Sequence, residues 1–470
     1  MSGILSIMSI STNAMFAAQT GVEITSHNLA NADTPGYIRQ TPVYQTAAAV
    51  RAQGGLLLGR GVNVAGVRGI EDRFLDYQVN LNTSAQGSLD AAARGTDLLQ
   101  EIVNESSGNG LASSVNAFFA SLNDLAANPE GGPERTAVRG KAQTLVSEFH
   151  RVATAIDDLR QSTNTEIGSD VTEVNRLAGE IADLNAKIAN LEGTGQSATD
   201  YRGARQEAMK DLAQYVDFHA SEGKDGAVTI YLSAGLPLVE GATRATLSTT
   251  PDGSNGNLSR VQFVDANGNA TDVTDQLRGG KIRGALDVRD GNAKDMQDRL
   301  DRLAYELAQR INEIHRNGYA ANGHTGVYFF EDLGSTVDGA ASRIALDPAI
   351  LADVNNIAAA QTNVPGDNRN ALAMADLQNA PTMNGGTQTF SDFYGAVVGD
   401  AGIAAQQNTA ALDHQKAVTD QISAYRESVT GVSIDEEMTN LVKYQQAYQA
   451  SAKMIETVSG LVETLMKIGE

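Results

Sequence analysis

The chain is 470 residues long, room for roughly two to four domains. Its 35 Lys and Arg against 57 Asp and Glu leave a net charge of −22, which argues against nucleic acid and anionic membrane as partners, since both repel an acidic surface. It has no cysteine, so disulfides and thiol chemistry are excluded. No Lys or Arg precedes Arg39, so the cationic start of a secretory signal peptide is missing and a soluble protein with some other export route is expected.

In chain order the first predicted element is a helix. Ile4, Met8, Ser11, Met15, Ala18, Val22, Thr25 and Leu29 are spaced alternately by four and three, the 3.5-residue period of a coiled-coil seam. Ile4 to Ile10, its most apolar part, is too short and serine-rich to span a bilayer. The helix stops at Asn28-Leu-Ala-Asn31-Ala-Asp-Thr-Pro35-Gly36-Tyr37, where Pro35 and Gly36 suit the centre of a type II turn with Gly36 at positive φ. Val43 to Val67 is Gly-punctuated and β-branched, which predicts short strands in a polar linker. A helix follows from about Glu71 to Asn104.

The middle is helical. A turn at Asn128-Pro-Glu-Gly-Gly-Pro133 starts a long helix, with Pro133 tolerated in its first turn. Its seam runs from Val138 to Leu159 and, after a polar gap, from Val174 to Leu191. Met296 to Ile314 gives another amphipathic helix, and Phe393, Val397, Val418, Ile422, Tyr425 and Val429 mark further inward-facing positions. Between Val216 and about Arg283 the pattern becomes strand-like, as in Val228-Thr-Ile-Tyr-Leu232 and Arg260-Val-Gln-Phe-Val264. This is expected to be a small outer β domain, replaceable by a short linker over Glu222–Gly279 without harm to the bundle. Segment 318–389 reads as loops wrapped on the bundle with one short helix near Leu372.

The last element mirrors the first. Ile434, Met438, Leu441, Gln445, Tyr448, Ala452, Ile455, Ser459, Val462 and Met466 repeat the four–three spacing. The two terminal helices therefore pack on each other or on neighbouring subunits, and in the free chain they are expected to be frayed. An intramolecular pair capping one end of the bundle is the alternative. The fold class is mainly α with a small inserted β domain: residues 1–70 plus 431–470 as terminal coiled-coil helices and extended linker, 71–215 plus 284–430 as an elongated helical bundle, and 216–283 as the outer β domain.

Catalytic, cofactor and metal residues are not expected. The six histidines show no metal-ligand spacing and read as surface or half-buried groups. Asp265-Ala-Asn-Gly-Asn269 departs from a calcium loop at its sixth and twelfth positions, so a hairpin turn wins. Phosphate-loop, nucleophile-elbow and dinucleotide fingerprints are absent. The paired carboxylates Asp157-Asp158 and Glu436-Glu437 read as solvated helix faces.

Asn28-Leu-Ala-Asn-Ala-Asp-Thr-Pro-Gly-Tyr-Ile-Arg39-Gln40 resembles the N-terminal signature of flagellar axial proteins, and Gly431-Val-Ser-Ile-Asp-Glu-Glu-Met through Tyr444-Gln-Gln-Ala-Tyr448 resembles their C-terminal one. With Gly366-Asp-Asn-Arg through Leu377-Gln378, the combination is similar to the first hook-associated protein family, the FlgK family. One departure is Asp200-Tyr-Arg-Gly-Ala-Arg-Gln206, where local packing is expected to differ. The resemblance implies an inner layer of paired terminal helices and an outward β insertion. It implies a structural role at the junction between hook and filament, without catalysis. The implied partners are further copies in a ring, the hook protein and the third hook-associated protein; the implied location is the extracellular flagellum, reached through the flagellar type III export apparatus. The exposed C-terminal seam is expected to bind a cytosolic export chaperone before secretion. A hook or distal-rod subunit is the nearest rival, although those typically carry Gly-Phe in place of Gly36-Tyr37. A cell-wall hydrolase or adhesin hidden in the β insertion would need acid/base pairs or binding aromatics that the stretch lacks.

Overall fold

The computed structural model describes residues 2–51, 57–104 and 110–468. Helix α1 (Ser2–Ala30) ends where predicted. The Tyr37 amide donates to Thr34 O at 3.1 Å and Gly36 has φ +73°, the geometry of a type II turn in which glycine meets no Cβ penalty. Strand β1 (Gln40–Thr46) leaves the turn, β2 (Val50–Arg51) and β3 (Leu57–Leu58) pair at its far end, and β4 (Val62–Gly69) returns antiparallel to β1 with Gln40 opposite Gly69. This is the predicted strand linker, of which residues 52–56 lie outside the described residues.

Helix α2 (Arg73–Val103) starts at Asp72, whose carboxylate caps the amides of Phe74 and Leu75. After α3 (Leu111–Ala127), α4 runs unbroken from Gly132 to Gly193, a length of about 93 Å at 1.5 Å per residue. Its predicted polar gap is helical too, because backbone hydrogen bonding continues wherever one face finds cover. The hydrophobic packing nevertheless divides there. Val138 to Leu159 enter one core and Ile167 to Ile188 lie beyond Arg160 and Thr163.

The first core is helical and aromatic. Phe118, Phe119, Phe149, Phe329, Phe330 and Phe390 are all fully or almost fully buried in it. It receives α7 (Ala293–His315), which continues from α6 (Gly280–Leu286) through a π-helical turn at Asp287–Asn292. The irregular segment after α7 carries α8 (Ala340–Arg343), α9 (Pro348–Ala352) and α10 (Arg369–Asp376). That segment does wrap the bundle, but its Phe329 and Phe330 are core rather than cover. Helix α11 (Phe390–Thr430) opens with a Thr389/Asp392 capping box. Phe393 and Val397 face inward as expected. Tyr425 and Val429 do not: they are exposed, and the inward line of α11 passes through Thr419 and Thr430. Apolar spacing located that helix but not its final rotation. Helix α12 (Ile434–Ile468) closes the chain.

His315 departs from the expected surface or half-buried role. It is 0% exposed, with Nδ1 hydrogen-bonded to Val327 O at 2.8 Å and Nε2 accepting from the Ala358 amide at 2.9 Å. Burial pushes its pKa down from 6.5 to about 4, so the folded ring stays neutral where the unfolded ring is already protonated. This stability is complete above pH 6.5 and is lost as pH falls toward 4, amounting to about 3 kcal/mol. Denaturation midpoints at pH 7 and 4.5 should differ accordingly, and His315→Gln should flatten the difference.

The second core belongs to the β insertion. Strands β5 (Phe218–Glu222), β6 (Val228–Leu232), β7 (Pro237–Glu240) and β8 (Thr243–Arg244) form one sheet in sequence order. Strands β9 (Thr246–Asp252), β10 (Leu258–Val264) and β11 (Ala270–Asp272) form another with β10 central. Their inner residues, including Ile230, Leu238, Val261 and Phe263, pack on Ile167–Ile181 of α4, on Met209 and Leu212 of α5 (Thr199–Tyr215), and on Ile282 of α6. Arg289, only 1% exposed, donates to Asn164 Oδ1 and Ser259 O, while Arg160 reaches Arg289 O, Gln297 and Asn255. The insertion thus shares a core with three helices, which argues against the expectation that a short linker could replace it harmlessly.

Candidate assembly interface

Helices α1 and α12 lie antiparallel. Asn28 meets Glu437, and the ring of Tyr444 covers Gly21. A Cβ on Gly21 would come within 2.7 Å of that ring, so only glycine lets the helices approach this closely. The buried residues are Ser11, Ala17, Ala18, Gly21, Ile24, Thr25 and Asn28 of α1 and Glu437, Ser451 and Val458 of α12. Among them Ser11, Ala18, Gly21, Thr25 and Asn28 keep the four–three rhythm, but the line through the two contacts with α12, Gly21 and Asn28, falls a residue earlier than the apolar pattern implies. Gly21 and Asn28 stand in place of Val22 and Leu29; Glu437, Tyr444, Ser451 and Val458 stand in place of Met438, Gln445, Ala452 and Ser459. The reason is chemical. Small side chains permit close contact, and polar ones fix register.

The predicted seam residues consequently divide. Ile4, Met15, Val22, Leu29, Leu441, Ile455 and Val462 are half-buried, whereas Met8, Ile434, Met438 and Tyr448 are exposed. Phe16, 58% exposed, and Val442, Met454, Leu461, Leu465 and Met466 add to that outward apolar surface. Single exposed apolar residues are ordinary; a run of them along two paired helices marks an interaction surface.

Gly21→Val should separate the pair, since overpacking costs about 1–3 kcal/mol and exceeds the gain in helix propensity of roughly 0.5–1 kcal/mol. Faster amide exchange in both helices is the expected readout, with Tyr444→Ala restoring protection in the double variant.

The turn motif locks this pair to the rest of the chain. Asn28 is 1% exposed and uses both ends of its amide. Nδ2 donates to Gln40 O at 2.8 Å and Glu437 Oε2 at 3.0 Å; Oδ1 accepts from the Tyr37 hydroxyl at 2.7 Å and the Gln40 amide at 2.9 Å. Since Tyr37 donates to Asn28, its oxygen accepts from His27 Nδ1 at 3.0 Å, which fixes the proton on that nitrogen. Burial, then the charges of Asp200 and Glu437, hold the Tyr37 pKa well above its ordinary value. Arg39 spans both carboxylates of α12, with Nη1 on Glu436 at 2.9 Å and Nη2 on Glu437 at 2.7 Å. Glu437 is 2% exposed, so only Glu436 occupies the solvated face expected of the pair. Asn31, half-buried, donates to His27 O at 2.9 Å and ties down a terminal carbonyl of α1. Pro35 is exposed at the corner of the turn.

On its other side the turn docks on α5. A Cβ on Gly203 would lie 2.2 Å from Gly36 O, and Gln40 Nε2 donates to Asp200 Oδ1 at 2.7 Å. The unusual Asp200–Gln206 run is therefore the seat of the turn, a role that its sequence alone did not signal. Among the described residues no group of three or more His, Asp or Glu is arranged to hold a metal, and no helix is long and apolar enough to cross a membrane.

Comparison with known proteins agrees with this architecture. Residues 96–330, half of the chain, match the family described as flagellar hook-associated protein FlgK helical domain. Residues 8–37 match the flagella basal body rod protein family, and 427–468 match the flagellar basal body rod FlgEFG protein C-terminal family. Flagellar hook-associated protein 1 of Bacillus subtilis is 28% identical over 96% of both chains, and its Escherichia coli namesake is 26% identical over 98% of this chain and all of that one. The flagellar hook junction protein FlgK from Burkholderia pseudomallei has the same fold, with a TM-score of 0.68 and 19% identity over 75% of this chain and 100% of that one. With half its length inside the FlgK helical-domain family and its termini inside the two rod families, the chain belongs to the FlgK family of flagellar hook-associated proteins.

Proposed function

We propose that this chain, a structural protein of the bacterial flagellum, forms the junction between hook and filament. The observation that carries this reading is the apolar surface left outward by the α1–α12 pair. Neighbouring copies cover it when they close a ring around the axis, with the terminal pair as the inner layer and the bundle and β sheets outside it. The seam and turn residues act in assembly, not catalysis. Hook protein contacts one side of the ring and the third hook-associated protein the other.

Before that, the chain passes through the flagellar type III export apparatus. A cytosolic chaperone shields Met438, Val442 and Tyr448, whose exposure on α12 supports such a partner.

A deletion strain should make hooks without filaments and lose flagellin to the medium. Complementation by the wild-type gene should restore filaments; Phe16→Asp with Met438→Asp should be exported yet fail to restore them, because each places a carboxylate in an apolar contact. Normal filaments in the deletion strain would overturn the reading. Hookless basal bodies would assign the chain instead to the hook or distal rod, whose terminal helices belong to the rod families matched at both ends.

A further inference from the structure

A cavity of about 160 Å³ opens where the linker, α2, α5, β5 and the end of α11 converge. One water needs roughly 10–15 Å³, so the space suits a small organic molecule. Most charges on its wall are matched. Asp76 takes Arg426 at 2.6 Å, and Glu222 takes Arg73 at 2.6 Å and Arg202 at 2.7 Å.

Three groups are not. The Glu71 carboxylate, its side chain 25% exposed, accepts no hydrogen bond among the described residues; Arg202 Nη1 stands 3.9 Å away, and Arg205 lies near enough to act on its charge. Burial raises its pKa accordingly. Asn80 is 7% exposed, and its Oδ1 has no partner. Arg205, 5% exposed, makes both its hydrogen bonds through Nη1, to Asn185 Oδ1 at 2.9 Å and Gly226 O at 2.7 Å. It pairs with no carboxylate among the described residues, and burial lowers its pKa to about 10. Buried polar groups left without partners are rare and costly. Here one buried acceptor without a partner, Asn80 Oδ1, faces the same cavity as the partly exposed Glu71 carboxylate and the Arg205 fork, with Ile70, Met209 and Phe218 supplying apolar wall.

We propose that this cavity binds a small zwitterion of the α-amino-acid class. Its ammonium sits on Glu71 and Asn80 Oδ1, its carboxylate on Nε and Nη2 of Arg205, and its side chain against Met209 and Phe218. Glu71 and Arg205 act on each other's charge across the cavity without a direct ion pair, and a zwitterion gives each of them an opposite charge in contact. Because the wall is drawn from the linker and from the bundle, the ligand also fastens the terminal layer to the bundle.

The test is calorimetric titration of the full chain with L-leucine, isoamylamine and 4-methylpentanoate, which share an apolar stem and differ in charge. Leucine should bind at least roughly tenfold more tightly than either analogue, and Glu71→Gln should weaken it by roughly tenfold or more, the worth of one charged hydrogen bond. Asn80→Leu should abolish binding while raising the unfolding temperature, since it removes an orphan acceptor. Failure of folded wild-type protein to bind leucine, equal binding of the amine or the acid alone, or undiminished binding by both variants would each overturn the proposal.

Discussion

Asn28→Asp is expected to detach the terminal helix pair at neutral pH. The change replaces an amide donor, 3.0 Å from Glu437 Oε2 and 2.8 Å from Gln40 O, with an oxygen that repels both. Arg39 already serves Glu437 and Glu436 and cannot neutralise a third carboxylate. An uncompensated buried charge costs about 3–5 kcal/mol, a large part of the margin that holds any single element in place. Amide exchange in α1 and α12 should rise toward the rate of an unpacked helix, while the bundle, whose cores contain neither helix, keeps its protection. Lowering the pH should restore pairing in this variant, because a proton shared between the introduced carboxyl group and Glu437 re-creates the lost donor. Unchanged exchange at pH 7 would show that the polar lock contributes nothing to the pair. In cells the same variant should fail to support filament growth.

A second large effect is expected from replacing residues 222–279 with a short Gly/Ser linker. The excision removes β6 to β11 and with them the cover over Ile167, Val174, Ile181 and Leu212, all buried. At roughly 1.5–3 kcal/mol for each aliphatic side chain returned to water, no compensation within the remaining chain is available. The distal half of α4 and α5 should melt or aggregate, whereas the aromatic core around Phe118 and Phe330 should retain a cooperative transition. Far-UV circular dichroism would then report fewer helical residues and a surviving melt. Full helical content would mean that the distal half of α4 and α5 hold without the sheets that cover them.

The long helices, the Pro35–Gly36 turn and the strand segments were legible because each rests on local chemistry: periodicity, capping and the conformational freedom of glycine. The contact line between α1 and α12 was half legible. Counting apolar side chains favours Met8, Val22 and Met438, yet the close approach is at Gly21, and Ser451 is buried on α12; neither carries a hydrophobic signal. Glu437 was misread for the same reason. Nothing in Asp435-Glu-Glu437 announces that the third carboxylate turns inward, since its partner Arg39 lies 398 residues away in sequence. Gly203 was invisible until the turn was seen to rest on it. The rotation of α11 at Tyr425 and Val429 depends on what covers its surface, and local sequence does not carry that information.

Helix α4 passes through both cores without a break, and the stretch that bridges them is held sideways by Arg160 and Arg289. Such a member behaves as a stiff strut clamped at two points. Twisting load applied to the sheets of the second core reaches the aromatic core as torque along a continuous helix, and the sheets do not swing on a loop. A second rod runs beside it, because α6 in the second core continues through the π-helical turn into α7 in the aromatic core, so a break around Thr163 to Asp170 would leave one connection carrying the load.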